Sequence, residues 1–289
     1  MKKKIIDGNK ISQKIRKKIK KKLQKLIINR NRKPSIVVLL VGNDPSSIIY
    51  VKNKKQACKE IGITSRILKF KETIQEKELI NIIHTLNNDT SVDAILIQLP
   101  LPKNISIKKI FNSISPKKDV DGFHPYNIGC LLQKTPKLRP CTPQGIMMIL
   151  KKYKIKTHGL NAVILGASNI VGRPMSLELL LAGCTTTVTH RFTKNLYNHT
   201  KKADLLIVAI GKPKFINNLY IKKGAIVIDA GINKDKNGRI VGDVDIQSAI
   251  HNSSLITPVP GGVGPMTITA LLKNTIQIYE KNKEIINYL

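Results

Sequence analysis

The feature that most constrains the fold is a strand, a glycine-containing turn and a helix that follow one another from residue 162. The apolar run 162–165 precedes the turn 166–174, and a helical pattern covers 171–182. Further apolar runs without alternation, as in strands buried on both faces of a parallel sheet, occupy 205–209 and 225–229. The β-branched run Thr185-Thr-Thr-Val-Thr189 is a further predicted strand. This succession predicts an α/β fold whose second part is a Rossmann-type doubly wound parallel sheet.

The first half of the chain shows the same alternation. Strands are predicted at 35–41, 64–69 and 92–98, and helices at 9–30, 45–61, 74–88 and 105–114. We expect Ser115 to Arg139 to be irregular because this stretch is polar and rich in turn residues. Thr142 is predicted to cap the next helix, with Pro143 in its first turn, and a last helix covers 266–285.

The chain is strongly basic. It has 50 Lys and Arg against 18 Asp and Glu, a formal net charge of +32, and such a charge is typical of nucleic-acid-binding proteins. The lysines, however, recur on nearly every predicted surface helix, without interleaved aromatic residues or a nucleic-acid motif. We interpret the charge as a compositional bias towards lysine. We expect non-specific polyanion binding in dilute salt but no specific nucleic-acid partner.

The sequence has no feature typical of a membrane protein, a secreted protein or a metal-binding protein. No apolar run approaches the roughly 20 residues that span a bilayer, and residues 1–7 lack the apolar segment of a secretory leader. The cysteines form no Cys-x-x-Cys pair and no zinc-ligand spacing with histidines. They are Cys58, Cys130, Cys141 and Cys184. We expect free thiols in a cytoplasmic protein, with no metal site and no membrane partner.

The turn at 166–174 is suited to a dinucleotide. Gly166 allows a tight turn, Ala167 and Ser168 are small enough for phosphate to approach the backbone, and Gly172 allows close helix packing. The alternative is an ordinary tight turn between strand and helix. The strand that ends at 188–191 carries no acid for a ribose diol. It has Arg191 instead, which favours NADP over NAD unless this arginine is only a solvated surface residue.

The first half of the chain contains several polar residues that could take part in catalysis or ligand binding, although each is of a common type. Tyr50 and Lys54 lie four residues apart and share a helix face, and Gln98 ends an apolar strand where α/β proteins bind ligands. Asp119 and Asp121 form a compact acidic turn. Taken singly, each is more often structural than catalytic. The glycine- and proline-rich segment 258–267 is either a stiff wall of a binding cleft or a surface turn.

Taken together, six segments resemble one enzyme family almost from end to end. They are Val41-Gly-Asn-Asp-Pro-Ser-Ser47 with Tyr50-Val-Lys-Asn-Lys54, Gln98-Leu-Pro-Leu-Pro102, Asp119-Val-Asp-Gly-Phe-His-Pro125, Arg139-Pro-Cys-Thr-Pro143, Gly166-Ala-Ser-Asn-Ile-Val-Gly-Arg-Pro174 and Pro258-Val-Pro-Gly-Gly-Val-Gly-Pro265. The chain thereby resembles bifunctional methylenetetrahydrofolate dehydrogenase/methenyltetrahydrofolate cyclohydrolase.

The resemblance implies a homodimer with two α/β domains flanking a cleft in each chain. A folate-binding catalytic domain would comprise 1–140 plus 266–289, and an NADP-binding domain 141–265. The implied reaction is oxidation of 5,10-methylenetetrahydrofolate to 5,10-methenyltetrahydrofolate, followed by hydrolysis to 10-formyltetrahydrofolate. Lys54 would be the catalytic group, assisted by Gln98, with Tyr50 packed on the folate and Asp121 on the pterin edge.

The resemblance also implies two binding sets. The remaining folate-binding residues would be Leu99, Pro100, Pro260, Gly261, Gly262 and Pro265. The NADP-binding residues would be Gly166, Ala167, Ser168, Ile170, Val171, His190, Arg191 and Ile232.

The sequence leaves three other interpretations of the function open. One is a dehydrogenase without hydrolase activity, which the presence of both Lys54 and Gln98 disfavours. The second is a two-domain dehydrogenase for a hydroxy acid or a shikimate-like substrate, which would not need the set Tyr50, Lys54 and Asp121. The third is a basic nucleic-acid-binding protein with a decayed enzyme fold.

Overall fold

The computed structural model describes residues 4–28 and 32–286. Residues 29 and 30 of the predicted helix 9–30, and the first three residues of the segment 1–7, lie outside the described residues. The chain divides into two compact units. The first unit consists of Ile15–Cys141 and Leu271–Leu289, and the second unit of Met1–Lys14 and Thr142–Ala270.

Helices and strands alternate through both units. The helices are α1 Gly8–Ile28, α2 Pro45–Ile61, α3 Glu76–Asn88, α4 Ile107–Ser113, α5 Pro125–Leu132, α6 Cys141–Lys152, α7 Gly172–Leu181, α8 Leu196–Thr200, α9 Ile246–Ala249 and α10 Val263–Ile286. The strands are β1 Ser35–Val41, β2 Thr64–Phe70, β3 Ala94–Ile97, β4 Asn161–Leu165, β5 Thr185–Thr189, β6 Leu205–Val208, β7 Ala225–Asp229, β8 Asn233–Lys234, β9 Ile240–Val241 and β10 Ser253–Ile256.

The first unit contains a parallel sheet in the order β2-β1-β3. The central strand β1 is apolar along its length because both of its faces are covered. Helix α3 contributes Leu79 and Ile83, both fully buried, to the core on one face. Burial of each such side chain contributes about 1.5–3 kcal/mol to folding.

Helix α2 has clear signals at both ends. The Asp44 side chain accepts a hydrogen bond from the Ser47 N–H at 2.7 Å, and Pro45 occupies the first turn, where its missing N–H is harmless. Gly62 ends the helix in the left-handed region, at φ 95°, and its N–H bonds the carbonyls of Cys58 and Lys59. The predicted limits of this helix, 45–61, are confirmed.

The second unit is a five-stranded parallel sheet in the order β10-β7-β6-β4-β5. The chain leaves β4 towards β5 on one side and returns to β6 on the other. The carboxyl ends of β4 and β6 therefore flank a topological switch point, where doubly wound sheets bind ligands. Strand β10 was absent from the sequence prediction because its residues, Ser-Ser-Leu-Ile, form too short an apolar run.

Two predictions about local structure are wrong. The stretch 115–139 is not wholly irregular, since α5 lies within it, with His124 as its N-cap and Pro125 in its first turn. Val120 and Leu131 are fully buried there. Thr142 does not cap α6, because this helix already begins at Cys141. Within residues 4–28 and 32–286, no helix is long and apolar enough to cross a membrane.

Candidate active site

Lys54 is the centre of a polar cluster in the first unit. It lies one turn after Tyr50 on α2, and only 6% of its surface is exposed. Its ammonium nitrogen lies 3.1 Å from Gln98 Oε1 and 4.7 Å from the centroid of the Tyr50 ring. The structure thus brings together the three residues predicted to be catalytic, and the side chain of Lys54 is held by a hydrogen bond and a cation–π contact.

The loop after β3 holds Gln98 in place. Gln98 Nε2 donates to the carbonyl of Leu99 at 2.7 Å, and the Ser47 hydroxyl donates to the same carbonyl at 3.2 Å. These bonds fix the amide so that its oxygen faces Lys54. Leu99 is half-buried and Pro100 exposed, and the peptide bond between them is cis. The rings of Pro100 and Pro102 fix φ at their positions and so stiffen this loop.

Burial changes the protonation chemistry of Lys54. Loss of hydration lowers the pKa of Lys54 below its ordinary value, and the negative charge of Asp121 partly offsets this. Desolvation in turn raises the pKa of Asp121, and the nearby Lys54 charge opposes that change. The thiol of Cys141 joins the same environment, and burial raises its pKa well above the usual range. An amine whose pKa is lowered in this way gives up and takes back a proton more readily than an exposed lysine, as an acid–base group must.

The two aspartates of the acidic turn at 119–123 have different roles. Asp119 is buried and accepts hydrogen bonds from the N–H groups of Gly122 and His124, at 3.1 and 2.8 Å, and from the Asn127 side chain at 2.8 Å. These bonds hold the turn and the start of α5. Asp119 is therefore structural, which leaves Asp121 as the carboxyl that acts on Lys54 electrostatically.

One residue that the sequence did not reveal supports this turn. Asn274, on α10, is fully buried and donates to the carbonyls of Val120 and Arg139 at 2.9 and 2.8 Å. These carbonyls belong to the chain segments that carry Asp121 and Cys141. The sequence gives no signal for this role, because Asn274 lies among other polar residues of the helix, Lys273, Thr275 and Gln277.

The turn after β4 in the second unit has the close packing that a dinucleotide site requires. Gly166 has φ 108°, and a Cβ atom there would collide with the carbonyl of Ala209. A Cβ atom on Gly172 would collide with the carbonyl of Gly166. The exposed Ser168 hydroxyl accepts from the N–H of Val171 at 3.2 Å, which shapes the start of α7. Backbone N–H groups at such a helix start fit the phosphates of a dinucleotide.

The other residues predicted to bind NADP lie in loops that follow the carboxyl ends of strands, and therefore at the same edge of the second unit's sheet. Ile170 is half-buried in the turn after β4, and Ile232, which is 61% exposed, follows β7. After β5, His190 Nδ1 accepts from the N–H of Phe192 at 3.2 Å. Arg191 is exposed, with its guanidinium carbon 4.6 Å from the centroid of the Phe192 ring. The cation is thus preoriented by an aromatic face and remains accessible to an anion.

The segment 258–265, also in the second unit, is a close-packed turn rather than a flexible surface loop. Gly261 has φ 100°, and a Cβ atom on Gly8 of α1 would collide with the carbonyl of Gly262. Pro260 is exposed and follows a cis peptide bond, while Pro265 lies in the first turn of α10. Within the described ranges 4–28 and 32–286, no group of three or more His, Cys, Asp or Glu side chains could hold a metal ion.

The second unit has a doubly wound parallel sheet with a glycine-lined turn suited to phosphates. The same chain buries an amine beside an amide and a carboxyl. These features together define a nucleotide-dependent α/β enzyme. Two family models identify it further. Residues 6–121 match the catalytic domain of tetrahydrofolate dehydrogenase/cyclohydrolase, and residues 140–283 match the NAD(P)-binding domain of the same family.

Solved structures agree with the family models. The bifunctional enzyme FolD, a methylenetetrahydrofolate dehydrogenase/cyclohydrolase from Campylobacter jejuni, is 48% identical and covers 96% of this chain and 98% of its own, with a TM-score of 0.93. The enzyme of the same name from Trypanosoma brucei, complexed with NADP and an inhibitor, is 30% identical and covers 96% and 97%, with a TM-score of 0.91. The bifunctional enzyme from Thermoplasma acidophilum is 33% identical and covers 97% and 100%, with a TM-score of 0.90.

The chain therefore belongs to the tetrahydrofolate dehydrogenase/cyclohydrolase family. It carries both domains of the family, and its activity is the oxidation of 5,10-methylenetetrahydrofolate with a nicotinamide cofactor and the hydrolysis of the methenyl product. The predicted α/β class and the predicted function are confirmed. The alternatives of another dehydrogenase class and of a decayed nucleic-acid-binding fold are set aside.

Proposed function

We propose that both reactions depend on the cluster of Tyr50, Lys54, Gln98 and Asp121, with Lys54 as the acid–base group of ring opening, and that NADP is the preferred cofactor. The observation that carries this proposal is the buried amine of Lys54, held 3.1 Å from Gln98 Oε1 with its pKa lowered by desolvation. A buried lysine is rare, and a lysine whose pKa is lowered by desolvation beside a specific charged partner is typical of a functional site.

The oxidation makes modest demands on these residues. The methylene carbon of the substrate loses hydride while the adjacent folate nitrogen supplies its electron pair, which gives a resonance-stabilised methenyl cation. No strong base is needed, so orientation is the main requirement. NADP, when bound, accepts the hydride. The ring of Tyr50 offers a flat surface for the folate, and Asp121 offers acceptors for the amino group and ring N–H of the pterin.

The hydrolysis uses the proton chemistry of Lys54. Water adds to the methenyl carbon and releases a proton, which gives a neutral hydroxyl adduct. The carbon–nitrogen bond of the ring then breaks as the departing nitrogen takes up a proton and the hydroxyl group loses its own to form the formyl carbonyl, so that one proton is released overall. The neutral amine of Lys54 accepts the first proton and its ammonium form returns one to the nitrogen. Gln98 keeps the amine in one orientation through its Oε1 atom. The product is 10-formyltetrahydrofolate.

The residues of the second unit fit a dinucleotide with a 2′-phosphate. The collisions expected at Gly166 and Gly172 show that larger residues would deform the turn, so its small residues fit close phosphate approach. Ala167, Ser168, Ile170 and Val171 would line this turn, with His190 and Arg191 beside the ribose and Ile232 beside the nicotinamide. The exposed cation of Arg191, at a position where NAD-binding sheets place an acid, supports NADP.

Arg191→Ala should raise the KM for NADP roughly tenfold and change that for NAD by less than about twofold, because only NADP carries the phosphate that pairs with the guanidinium. Steady-state dehydrogenase rates with each cofactor give the comparison. Lys194→Ala, which removes a neighbouring exposed charge, is the matched control. Equal losses for both cofactors would show that Arg191 does not read the 2′-phosphate.

Asp121→Asn should move the pH profile of ring opening to lower pH. The negative charge of Asp121 raises the pKa of Lys54, so its removal lowers that pKa further, and the rise in rate with the free amine then occurs at lower pH. The profile is measured with methenyltetrahydrofolate after subtraction of the uncatalysed rate. Glu72→Gln, which removes an exposed carboxylate of the same unit, should leave the profile in place. A shift of the Asp121→Asn profile to higher pH would contradict the role assigned to Lys54.

The proposal extends to the organisation of the protein. We propose domains of residues 1–140 with 266–289 and of residues 141–265; the compact units differ from these chiefly in grouping residues 1–14 with the second unit. The family resemblance supports a homodimer, and sedimentation equilibrium tests this. We propose no specific nucleic-acid partner. The four cysteines are free and three of them are buried, which fits the reducing cytoplasm.

One assay tests the proposed function as a whole. Protein, NADP and methylenetetrahydrofolate are mixed, and the absorbance of NADPH and of the methenyl chromophore is followed before and after acidification. Acid converts any 10-formyl product back to the methenyl form, so the difference reports hydrolysis. The proposal predicts NADPH formation with little methenyl compound before acidification. NADPH with no additional chromophore after acidification would mean that the hydrolase reaction does not occur.

A further inference from the structure

The reactions above do not use two neighbouring buried carboxylates of the second unit, those of Asp229 and Asp243. Asp243 is fully buried and accepts four hydrogen bonds. Its Oδ2 accepts from the N–H groups of Ile210 and Gly211 at 2.7 and 3.0 Å, and its Oδ1 from the Lys212 N–H and Asn233 Nδ2 at 2.9 and 2.8 Å. Three consecutive backbone amides therefore converge on one carboxylate.

Asp229, at the end of β7, forms the second half of the arrangement. Its Oδ1 accepts from the N–H groups of Gly231 and Asp243, at 2.9 and 3.1 Å, and its Oδ2 from the Val244 N–H at 2.9 Å. Gly231 has no room for a side chain, because a Cβ atom there would collide with the Asp243 carboxylate. Burial raises the pKa of Asp229 to about 7. The two carboxylates thus tie three chain segments together.

These segments lie next to the nucleotide turn. The loop 209–212 follows β6 and the loop 230–233 follows β7, both at the carboxyl ends of strands. Strand β6 pairs with β4, and the carbonyl of Ala209 is the group that leaves no room for a Cβ atom on Gly166. The loop fixed by Asp243 therefore forms the β6 side of the switch-point crevice, and the turn after β4 forms the other side.

The outer surfaces of both loops are open. A Cβ atom on Gly211, which has φ 69°, would meet nothing within 4 Å, and Ile232 is 61% exposed. A side-chain-free backbone and an apolar side chain thus face open space at the ligand-binding edge of the sheet. Burying two adjacent carboxylates is costly for folding, and a plain turn would connect the strands without that cost.

We propose that Asp243 is a positioning residue for the dinucleotide: it fixes the loops 209–212 and 230–233 in the shape that the nicotinamide half of NADP requires. The proposal rests on the proposed function. Asp243 acts through the backbone of residues 210–212 and through Asn233, next to Ile232, and does not itself contact the cofactor.

The test compares Asp243→Asn with Asp235→Asn in the full-length protein. Asparagine keeps the shape of aspartate, but whichever way it is oriented its NH2 group opposes two of the four donors. Asp235 also accepts backbone amides, those of Asn237 and Arg239 at 2.9 Å each, but in the hairpin of β8 and β9. The readouts are the Kd for NADP by titration calorimetry without folate, dehydrogenase kcat and KM, and cofactor-free hydrolysis of methenyltetrahydrofolate.

Asp243→Asn should weaken NADP binding about tenfold, as expected for lost hydrogen bonds to a charged acceptor, and should raise the KM for NADP with unchanged hydrolysis. Asp235→Asn should leave all three readouts at the wild-type values. An unchanged Kd for NADP in Asp243→Asn, even with a lowered melting temperature, would show a purely structural role and overturn the inference.

If Asp243→Asn does not fold, Asn233→Ala tests the inference instead. This variant removes one of the four hydrogen bonds to Asp243 and leaves the carboxylate in place. It should weaken NADP binding about threefold, and an unchanged Kd for NADP overturns the inference. Failure of the proposed function is distinguishable, since the wild-type protein would then bind no NADP or form no NADPH with methylenetetrahydrofolate.

Discussion

Replacing Lys54 with methionine should lower the rate of methenyltetrahydrofolate hydrolysis at least about 100-fold, as expected for loss of a positioned acid–base group. Methionine approximates the length and the apolar stem of lysine, so the buried site on α2 stays filled. NADP-dependent oxidation should remain measurable, because hydride transfer needs no base from the protein. The two activities are measured separately, with methenyl- and methylenetetrahydrofolate as the respective substrates.

Lys55→Met is the matched control for this experiment. Lys55 is the next residue of the same helix and is exposed, so its replacement removes the same charge and chain without touching Gln98 or Tyr50. Both activities of Lys55→Met should equal those of the wild-type protein. Ring opening at the wild-type rate in Lys54→Met would exclude Lys54 as the acid–base group and, with it, the mechanism proposed for hydrolysis.

The sequence predicted the parts of the site that depend on local rules. The cap, first-turn proline and terminal glycine of α2 follow from backbone hydrogen bonding. The spacing of four residues placed Tyr50 and Lys54 on one face, and the structure shows their contact. Gln98 was placed at the carboxyl end of an apolar strand, and β3 indeed ends at Ile97. The identity of the folate, however, came from the family resemblance and not from these rules.

The parts that were missed depend on contacts between distant segments. Nothing near Asn274 in the sequence indicates that it bonds the carbonyls of Val120 and Arg139. The roles of Asp119 and Asp121 differ only because the fold directs backbone amides onto Asp119. Asp243 binds amides more than 30 residues away, so no local pattern could reveal it.

The turn after β4 offers the complementary experiment to Lys54→Met. Gly166→Ala should raise the KM for NADP at least about tenfold, for two reasons that act together. Alanine at φ 108° is strained by about 1–3 kcal/mol, and its methyl group would collide with the Ala209 carbonyl, which belongs to the adjoining loop. Because both backbones must move, the amides at the start of α7 would no longer be positioned for the phosphates.

Gly159→Ala separates strain from collision. Gly159 lies in the same unit at φ 80°, but a Cβ atom there would meet nothing within 4 Å, so this variant shares the strain alone. It should lose some thermal stability and keep the wild-type KM for NADP. Hydrolysis of added methenyltetrahydrofolate requires no cofactor and should be normal in both variants. If Gly166→Ala lowers hydrolysis as much as oxidation, the change acts through unfolding, and the turn after β4 is not a dedicated cofactor site. Loss of oxidation with retained hydrolysis is the reverse of the result expected for Lys54→Met. It would show that the turn after β4 serves oxidation alone, although both reactions share the residues that bind the folate.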